Sequence, residues 1–155
     1  MDAPKAAELR KILLIVEDEA LLAMALRDEL EDSGYRVLDL TGRPQEAITV
    51  ARACQPALAL VNIQLQGRDD GVALAEELKG MGIPVLFISG QVSRARSART
   101  VAIGSLPKPY SPVDMVQAVD YLLRDLDGDR TLSPPAALEV FGEIGRGAEA
   151  GAASG

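Results

Sequence analysis

The chain has 155 residues, 48% of them hydrophobic, which is enough for one domain with a proper core, and a formal net charge of −7. The negative charge disfavours nucleic acid and anionic membrane surfaces as ligands and favours protein partners. The chain contains no histidine, which excludes histidine-based acid–base catalysis, histidine metal ligands and a phosphohistidine. No segment approaches the roughly 20 apolar residues of a membrane span, and residues 1–10 lack a signal-peptide core, so a cytoplasmic protein is expected. The single cysteine, Cys54, excludes an intramolecular disulfide and is predicted to be a small buried residue.

Short apolar runs, bounded by glycine, proline or charge, predict strands that are buried on both faces of a parallel sheet. A further run, Val37–Leu40, is interrupted by Asp39 and is typical of an edge strand. The buried runs are residues 12–16, 58–61, 85–88 and 101–103.

Segments with helical spacing lie between these runs. The first is predicted over residues 19–33, because Leu22, Leu26 and Leu30 recur every fourth residue and Gly34 provides a left-handed stop. The second and third helices are predicted over residues 44–54 and 71–79.

The last two helical segments differ in character. The fourth, over residues 93–100, has no large apolar side chain and is predicted to be short or loosely packed. The fifth starts at Ser111, whose hydroxyl can form a capping box with the carboxylate of Asp114. Its predicted core face consists of Val116, Val119, Leu123 and Leu126. Five strands alternating with five helices predict right-handed crossovers and a doubly wound α/β sheet, in which ligands bind at the carboxyl ends of the strands.

Three segments are predicted from composition. They are an N-terminal extension over residues 1–9, a domain over residues 10–127 and a tail over residues 128–155 that is rich in Gly, Ala and Pro. This composition predicts a mostly disordered tail. The spacing of Leu138, Phe141 and Ile144 leaves one alternative, a short helix over residues 136–144 that packs on the domain or on a neighbour.

Polar side chains stand where four of the predicted strands end. They are Glu17 and Asp18 after the first strand, Asn62 and Ser89 at the ends of the next two buried runs, and Lys108 between two prolines after the last. This combination resembles the active site of response-regulator receiver domains, roughly over residues 10–127, and it is far more specific than any of its parts. Where that family carries its phosphoryl-accepting aspartate, this chain carries Asn62.

The resemblance implies a flavodoxin-like (βα)5 sheet with strand order 2-1-3-4-5 and a Mg²⁺ site made of oxygen ligands. Asp18 would bind the metal directly, and Glu17 partly through water. Position 62 and the backbone carbonyl of Gln64 would complete the protein ligands.

The resemblance also implies how a phosphoryl group would be held. Ser89 would donate its hydroxyl to one phosphoryl oxygen, and the Lys108 ammonium would hold another. The peptide bond between Lys108 and the following proline is expected to be cis.

Asn62 changes this chemistry. An amide oxygen is a poor nucleophile, so phosphoryl transfer to position 62 is predicted to be abolished. The site also loses one of three negative charges, so Mg²⁺ binding is predicted to be weakened, and Lys108 can pair with Glu17 or Asp18. Two explanations remain open: a natural pseudo-receiver that acts without phosphorylation, and an ordinary phosphoryl-accepting receiver carrying an engineered Asp-to-Asn substitution.

Ser105 is a second departure from the family pattern. It stands three residues before Lys108, where the family usually carries an aromatic residue that turns inward when the site binds phosphate. Without that ring, the usual coupling from site to surface is expected to lack its moving part, which favours the natural pseudo-receiver.

In the family, the fourth helix, fifth strand and fifth helix form the interaction surface. The residues expected there are Arg94, Arg96, Arg99, Asp114 and Asp120. Opposite charges on adjacent helices suit a two-fold homodimer, whereas a solvated surface with intrachain pairs is the equally weighted alternative.

These observations predict a stand-alone, non-enzymatic response regulator of a bacterial two-component system. Its expected partner is a sensor histidine kinase or a downstream signalling protein, contacted without nucleic acid or membrane. A flavodoxin-type cofactor binder is less favoured, because the loop after Val16 is acidic and lacks a Gly/Ser/Thr-rich phosphate cradle.

Overall fold

The structure is a computed structural model that describes residues 11–65 and 70–141. The predicted extension over residues 1–9 and the part of the tail after Phe141 lie outside the described residues. The strands are β1 (Ile12–Val16), β2 (Arg36–Val37), β3 (Leu58–Asn62), β4 (Val85–Ser89), β5 (Gly104–Pro107) and β6 (Glu139–Val140). The helices are α1 (Ala20–Asp32), α2 (Pro44–Cys54), α3 (Asp70–Gly80), α4 (Val92–Ser97) and α5 (Pro112–Leu126).

All six strands form one sheet in the order β2-β1-β3-β4-β5-β6. The first five are parallel to one another, and β6 pairs antiparallel with β5 at the edge. The predicted doubly wound α/β fold with strand order 2-1-3-4-5 is therefore confirmed, and a sixth strand extends it. Because parallel strands end at the same edge, the ends of β1, β3 and β4 lie side by side there.

The sheet separates two apolar clusters. The central strands β3 and β4 are buried along their whole length, as their continuous apolar sequences predict. The cluster on one face includes Ala47 and Ala51 of α2, and the cluster on the other includes Leu26 of α1 and Leu122 of α5. None of the helices in the described ranges is long and apolar enough to span a membrane.

The predicted helices are present, with small shifts at their ends. Helix α2 has the predicted bounds and starts with Pro44. Helix α4 has six residues, as short as its lack of large apolar side chains suggested, and only Ala95 within it is buried. Helix α5 opens with the predicted capping box: the Asp114 backbone N–H donates to the Ser111 hydroxyl at 3.1 Å, and the Ser111 N–H donates to the Asp114 carboxylate at 3.0 Å.

Two side chains predicted to be buried are exposed. Cys54 is the last residue of α2, and Leu126, with 46% of its surface exposed, is the last residue of α5. Both predictions were wrong at the same kind of position: the helical spacing continues to the last residue of each helix, where the side chain is exposed.

Strand β5 begins three residues later than predicted. The apolar run over residues 101–103 only leads into it, and the strand consists of Gly104 to Pro107. Glycine and serine are poor strand formers, so this start was not predicted. A Cβ atom at Gly104 would lie 2.9 Å from the Glu139 carbonyl oxygen, so a residue without a side chain is needed where β6 approaches.

The tail contributes to the domain instead of leaving it. Glu139 pairs with Ser105 and Val140 with Gly104, and the Phe141 N–H donates to the Ile103 carbonyl at 2.9 Å. The helix considered over residues 136–144 is wrong for its described part, and the expected disorder does not hold for residues 128–141. An alternating sequence satisfies the β5 edge with an extended segment, which a helix could not do.

Candidate functional site

The end of β1 supplies a buried carboxylate. Glu17 is only 3% exposed, and its backbone N–H donates to the Thr41 carbonyl at 3.0 Å, which fixes the chain as it leaves the sheet. Oxygen Oε2 of Glu17 accepts hydrogen bonds from the Glu19 backbone N–H and from Asn62 Nδ2, both at 3.1 Å. Asp18 is exposed and lies at the mouth of the neighbouring cavity.

Asn62 ends β3 beside this carboxylate and is 7% exposed. Its amide nitrogen donates to Glu17, an interaction that an ionised aspartate could not make because it has no hydrogen to donate. The first turn of α3 lies close to the same strand end, because the Gly71 N–H donates to the Ile63 carbonyl at 2.9 Å. A Cβ atom at Gly71 would overlap the Asn62 carbonyl oxygen, so only glycine permits this approach.

Lys108 reaches the site from the other side. Its ammonium lies 3.8 Å from Glu17 Oε1, which confirms the pairing with one of the two predicted acids. Its backbone N–H donates to the Ser89 carbonyl at 2.8 Å, and the bond from Lys108 to Pro109 is cis, as expected. The lysine is thereby attached to the end of β4.

Ser89 is 3% exposed and closes a turn at the end of β4. Its hydroxyl accepts from the Gln91 N–H at 2.8 Å and donates to the Gln91 carbonyl at 3.2 Å. The hydroxyl lines the cavity but already donates its hydrogen to the Gln91 carbonyl. It would have to break this hydrogen bond before it could donate to a bound anion.

These residues line one cavity of about 450 Å³ at the carboxyl edge of the sheet. Its walls are formed by Asp18, Glu19, Asn62, Gln64, Ser89, Gly90, Gln91 and Lys108. The structure thus brings the predicted acid, amide, hydroxyl and ammonium groups together. Glu19, Gly90 and Gln91 were not predicted, although each directly follows a predicted site residue in the sequence or lies two positions from one.

Burial of the Glu17 side chain disfavours the charged form of its carboxyl group. Burial raises the pKa of its carboxyl group above the ordinary value of 4.5, and a hydrogen bond with Asp18 acts in the same direction. The groups that oppose this rise are the Glu19 N–H, the Lys108 ammonium and the Asn62 amide.

Tyr110 follows the Lys-Pro turn and is coupled to the same carboxylate. Burial, together with the negative charge of Glu17, raises the pKa of Tyr110 to about 12. Glu17 Oε1 and the Tyr110 hydroxyl are both buried and have no hydrogen-bond partner among the described residues. Sequence analysis missed Tyr110, because an aromatic residue after the turn gives no sign that it approaches an acid.

The site offers only oxygen ligands to a metal. Mg²⁺ prefers oxygen ligands of the kind found here: Asp18, the Asn62 amide oxygen, the backbone carbonyl of Gln64 and Glu17 Oε1, which has no hydrogen-bond partner among the described residues. Within residues 11–65 and 70–141, no group of three or more His, Cys, Asp or Glu residues could hold a metal ion. The residues therefore fit Mg²⁺ in type, with two carboxylates at the site.

Ser105 lies away from the cavity, in β5 between Phe87 of β4 and Glu139 of β6. It is 1% exposed, and its hydroxyl has no hydrogen-bond partner among the described residues. A small side chain thus occupies the position where the resemblance implied an aromatic switch. Phe141 of the tail belongs to the same apolar cluster as Phe87 and Ala95, next to this position.

Most of the charged residues predicted for the interaction surface have a partner three or four residues away in the sequence. Asp114 completes the cap of α5, Asp120 pairs with Arg124 one turn away at 3.2 Å, and Arg99 donates to the backbone of α4. Arg96 pairs with another element, because its guanidinium lies 2.7 Å from the carboxylate of Glu139 in β6. The alternation in Leu138-Glu139-Val140-Phe141 was the sequence signal that could have revealed this strand.

This chain is similar to known proteins in both sequence and fold. The family model described as "Response regulator receiver domain" matches residues 13–120. Transcriptional regulatory protein PdtaR of Mycobacterium tuberculosis is 34% identical over 114 residues, which cover 70% of this chain and 54% of PdtaR. Phyllosphere-induced regulator PhyR of Methylorubrum extorquens is 31% identical over 121 residues, which cover 76% of this chain and 45% of PhyR. The chain therefore spans about half the length of these curated relatives.

Among solved structures, the signal receiver domain of a modulated diguanylate cyclase from Desulfovibrio desulfuricans is similar, with a TM-score of 0.68. The two sequences are 33% identical, and the match covers 78% of this chain and 99% of that one. The match extends over nearly all of that domain.

Proposed function

The chain belongs to the response regulator receiver domain family, and on this premise we propose that it is a pseudo-receiver that acts in bacterial two-component signalling by protein–protein contact. Aspartyl phosphorylation has no part in this proposal, because Asn62 stands at the acceptor position. The proposed partner is a sensor histidine kinase or a downstream signalling protein, contacted in the cytoplasm. Nucleic acid is not a proposed ligand, because the net charge of −7 repels a polyanion.

The hydrogen bond from Asn62 Nδ2 to Glu17 Oε2, at 3.1 Å, is the observation that carries the proposal. An ionised aspartate at position 62 would place a second negative charge against Glu17 without a hydrogen between them. The buried carboxylate is thus complemented by an amide. This supports Asn62 as a residue that fits its surroundings.

With an amide at position 62, the site can bind charged groups but cannot accept a phosphoryl group. Phosphoryl transfer to an aspartate needs a carboxylate oxygen as nucleophile and a divalent ion that shields the incoming charge. At position 62 the nucleophile is replaced by an amide. The Lys108 ammonium, which would otherwise hold phosphate, lies against Glu17.

A second candidate is favoured by the other site residues. Ser89, Lys108 and the acids at the end of β1 all line the cavity or adjoin it. This arrangement also fits an ordinary phosphoryl-accepting receiver in which an aspartate at position 62 was replaced by asparagine. In that case the native protein would cycle through an acyl phosphate.

Intact mass after incubation with acetyl phosphate and Mg²⁺ tests the proposal. The chain as given should gain no phosphoryl group. An Asn62→Asp variant should gain one that is stable in acid and labile in base, as an acyl phosphate is. As a matched control, Gln64→Glu adds the same charge to the same cavity without placing a carboxylate at the end of β3, and it should stay unmodified.

A phosphoryl group on the chain as given would overturn the pseudo-receiver proposal. Repeating the measurement with Ser89→Ala would then show whether that hydroxyl is the acceptor. Failure of Asn62→Asp to become modified would remove the second candidate, because its site would then be unable to perform the transfer.

A further inference from the structure

Strand β6 covers the edge of β5 with contacts on both faces of the sheet. Leu138, 7% exposed, packs in the cluster that contains α1 and α5 residues, while Phe141, 4% exposed, packs in the cluster on the opposite face. Between them the Glu139 carboxylate accepts a hydrogen bond from Arg96 of α4 at 2.7 Å. Four consecutive residues thus contribute an aliphatic anchor, an acid, a second aliphatic residue and an aromatic anchor.

The β5 edge is shaped to receive this segment. Glu139 and Val140 pair with Ser105 and Gly104, which have the smallest side chains in β5. A Cβ atom at Gly104 would lie 2.9 Å from the Glu139 carbonyl oxygen and 3.3 Å from Leu138 Cδ1. Any side chain at position 104 would therefore press first against β6.

The attachment is nevertheless slight. Strand β6 has two residues, and its ion pair is solvent-exposed on the Arg96 side. A short edge strand with few backbone hydrogen bonds belongs to the part of a structure that opens most readily. When it leaves, the backbone N–H and C=O groups of the β5 edge are unpaired, and Arg96 loses its partner.

Direct pairing of two uncovered β5 edges is disfavoured by charge. Antiparallel pairing around a two-fold axis normal to the sheet would bring the α4 helices of both copies together on the same face. Each α4 segment carries Arg94 and Arg96, with Arg99 just beyond it, so this arrangement opposes like charges. The edge instead suits an extended segment with an acidic residue on the α4 side.

We propose that the β5 edge is a strand-docking site, filled by the chain's own residues 138–141 in the monomer and by the same residues of a second copy in a strand-exchanged dimer. Both states make the same contacts, including the pair between Arg96 and Glu139, so exchange needs no new interface. The tethered segment has the advantage of high effective concentration, which makes the monomer the resting state. This inference rests on β5 and β6 alone and does not depend on whether position 62 accepts phosphate.

A mixing experiment with two charge variants tests the exchange. Arg96→Glu opposes Glu139 within its own chain, and Glu139→Arg opposes Arg96 within its own chain. In an exchanged heterodimer of the two variants, the Glu at position 96 meets the Arg at position 139, and Arg96 meets Glu139, so both edges are matched. Sedimentation should show monomers for each variant alone and a 1:1 heterodimer on mixing, tighter than either self-association by at least about tenfold.

The double variant R96E/E139R restores the match within one chain and should return to a monomer that does not bind either single variant. Adding Gly104→Ala to both partners should abolish the heterodimer, because the new Cβ atom displaces the docked strand. Gly80→Ala is the matched control, since a Cβ atom at Gly80 meets nothing within 4 Å. All of these variants leave the cavity of Asn62 untouched.

Failure of the two single variants to associate on mixing would overturn the proposal. So would a heterodimer that survives Gly104→Ala, because the interface would then lie elsewhere. Hydrogen exchange supplies a second readout: the amide of Phe141, which donates to the Ile103 carbonyl, should lose protection in each single variant and regain it in the mixture. Unchanged protection in the single variants would show that the strand does not detach, which also contradicts the proposal.

Discussion

The two oxygens of the Glu17 carboxylate are used differently. Oε2 accepts two hydrogen bonds, from a backbone N–H and from Asn62, whereas Oε1 has the Lys108 ammonium at 3.8 Å and no hydrogen-bond partner among the described residues. The pairing with lysine was predictable from charge, because an ammonium group at this edge of the sheet is attracted to the acids at the end of β1. The amide hydrogen bond was not predictable, because its direction depends on how the ends of β1 and β3 meet in the folded sheet.

Replacing Asn62 with Asp should tighten Mg²⁺ binding by at least about tenfold, because a further carboxylate adds charge in direct contact with the ion. Isothermal calorimetry on the chain as given and on Asn62→Asp measures the difference. Asp18→Asn should weaken binding in both backgrounds, whereas Asp28→Asn, which removes the same charge from the surface of α1, should leave it unchanged. Equal affinities for the chain as given and Asn62→Asp would contradict this prediction and show that neutral oxygens dominate the site.

Ionisation of Glu17 should make the fold less stable as the pH rises. Its pKa is raised in the folded protein, so its contribution to the free energy of unfolding is greatest below pH 4.5 and is lost as the pH increases through the raised folded pKa. Urea denaturation of the parent and of Glu17→Gln over this window isolates the effect. The parent should lose stability relative to the variant with increasing pH, and a constant difference would show that the carboxyl group titrates normally.

At the scale of elements, local signals predicted the helices better than the outer strands. Helices α2 and α5 could be predicted at their first residues, because a proline and a capping box act within a few residues of the chain. Strands β5 and β6 pair although they lie more than thirty residues apart in the sequence. The reason for the small residues of β5 becomes visible only when the backbone of β6 is present beside them. Their pairing therefore overrides the low strand propensity of glycine and serine.

Loss of the α5 cap should be measurable as a loss of global stability. Ser111→Ala removes the acceptor for the Asp114 N–H and should lower the free energy of unfolding by about 1 kcal/mol, the usual cost of losing such a cap. Ser111→Asp keeps an acceptor and should retain most of the stability. Ser93→Ala, at an exposed position in α4, is the control, and a loss as large as that of Ser111→Ala would show that serine removal itself is responsible.

At the scale of the whole molecule, the predicted strand order describes five strands correctly and stops one strand short. The order of the inner strands follows from the alternation of helices and strands together with the family resemblance. The tail was predicted from its composition, which is rich in Gly, Ala and Pro. Composition does not indicate that Leu138 and Phe141 pack on opposite faces of the sheet. The missing information was the uncovered edge, a property of the assembled domain.

The two outermost strands have a consequence for behaviour at high concentration. Both β2 and β6 are two residues long, while the longer strands lie inside the sheet. A long, flat outer strand would offer other molecules a template for fibril growth, and proteins commonly avoid this by keeping such strands short. In this chain the last described residues form such a short outer strand, so they reduce that hazard at high protein concentration as well as completing the fold.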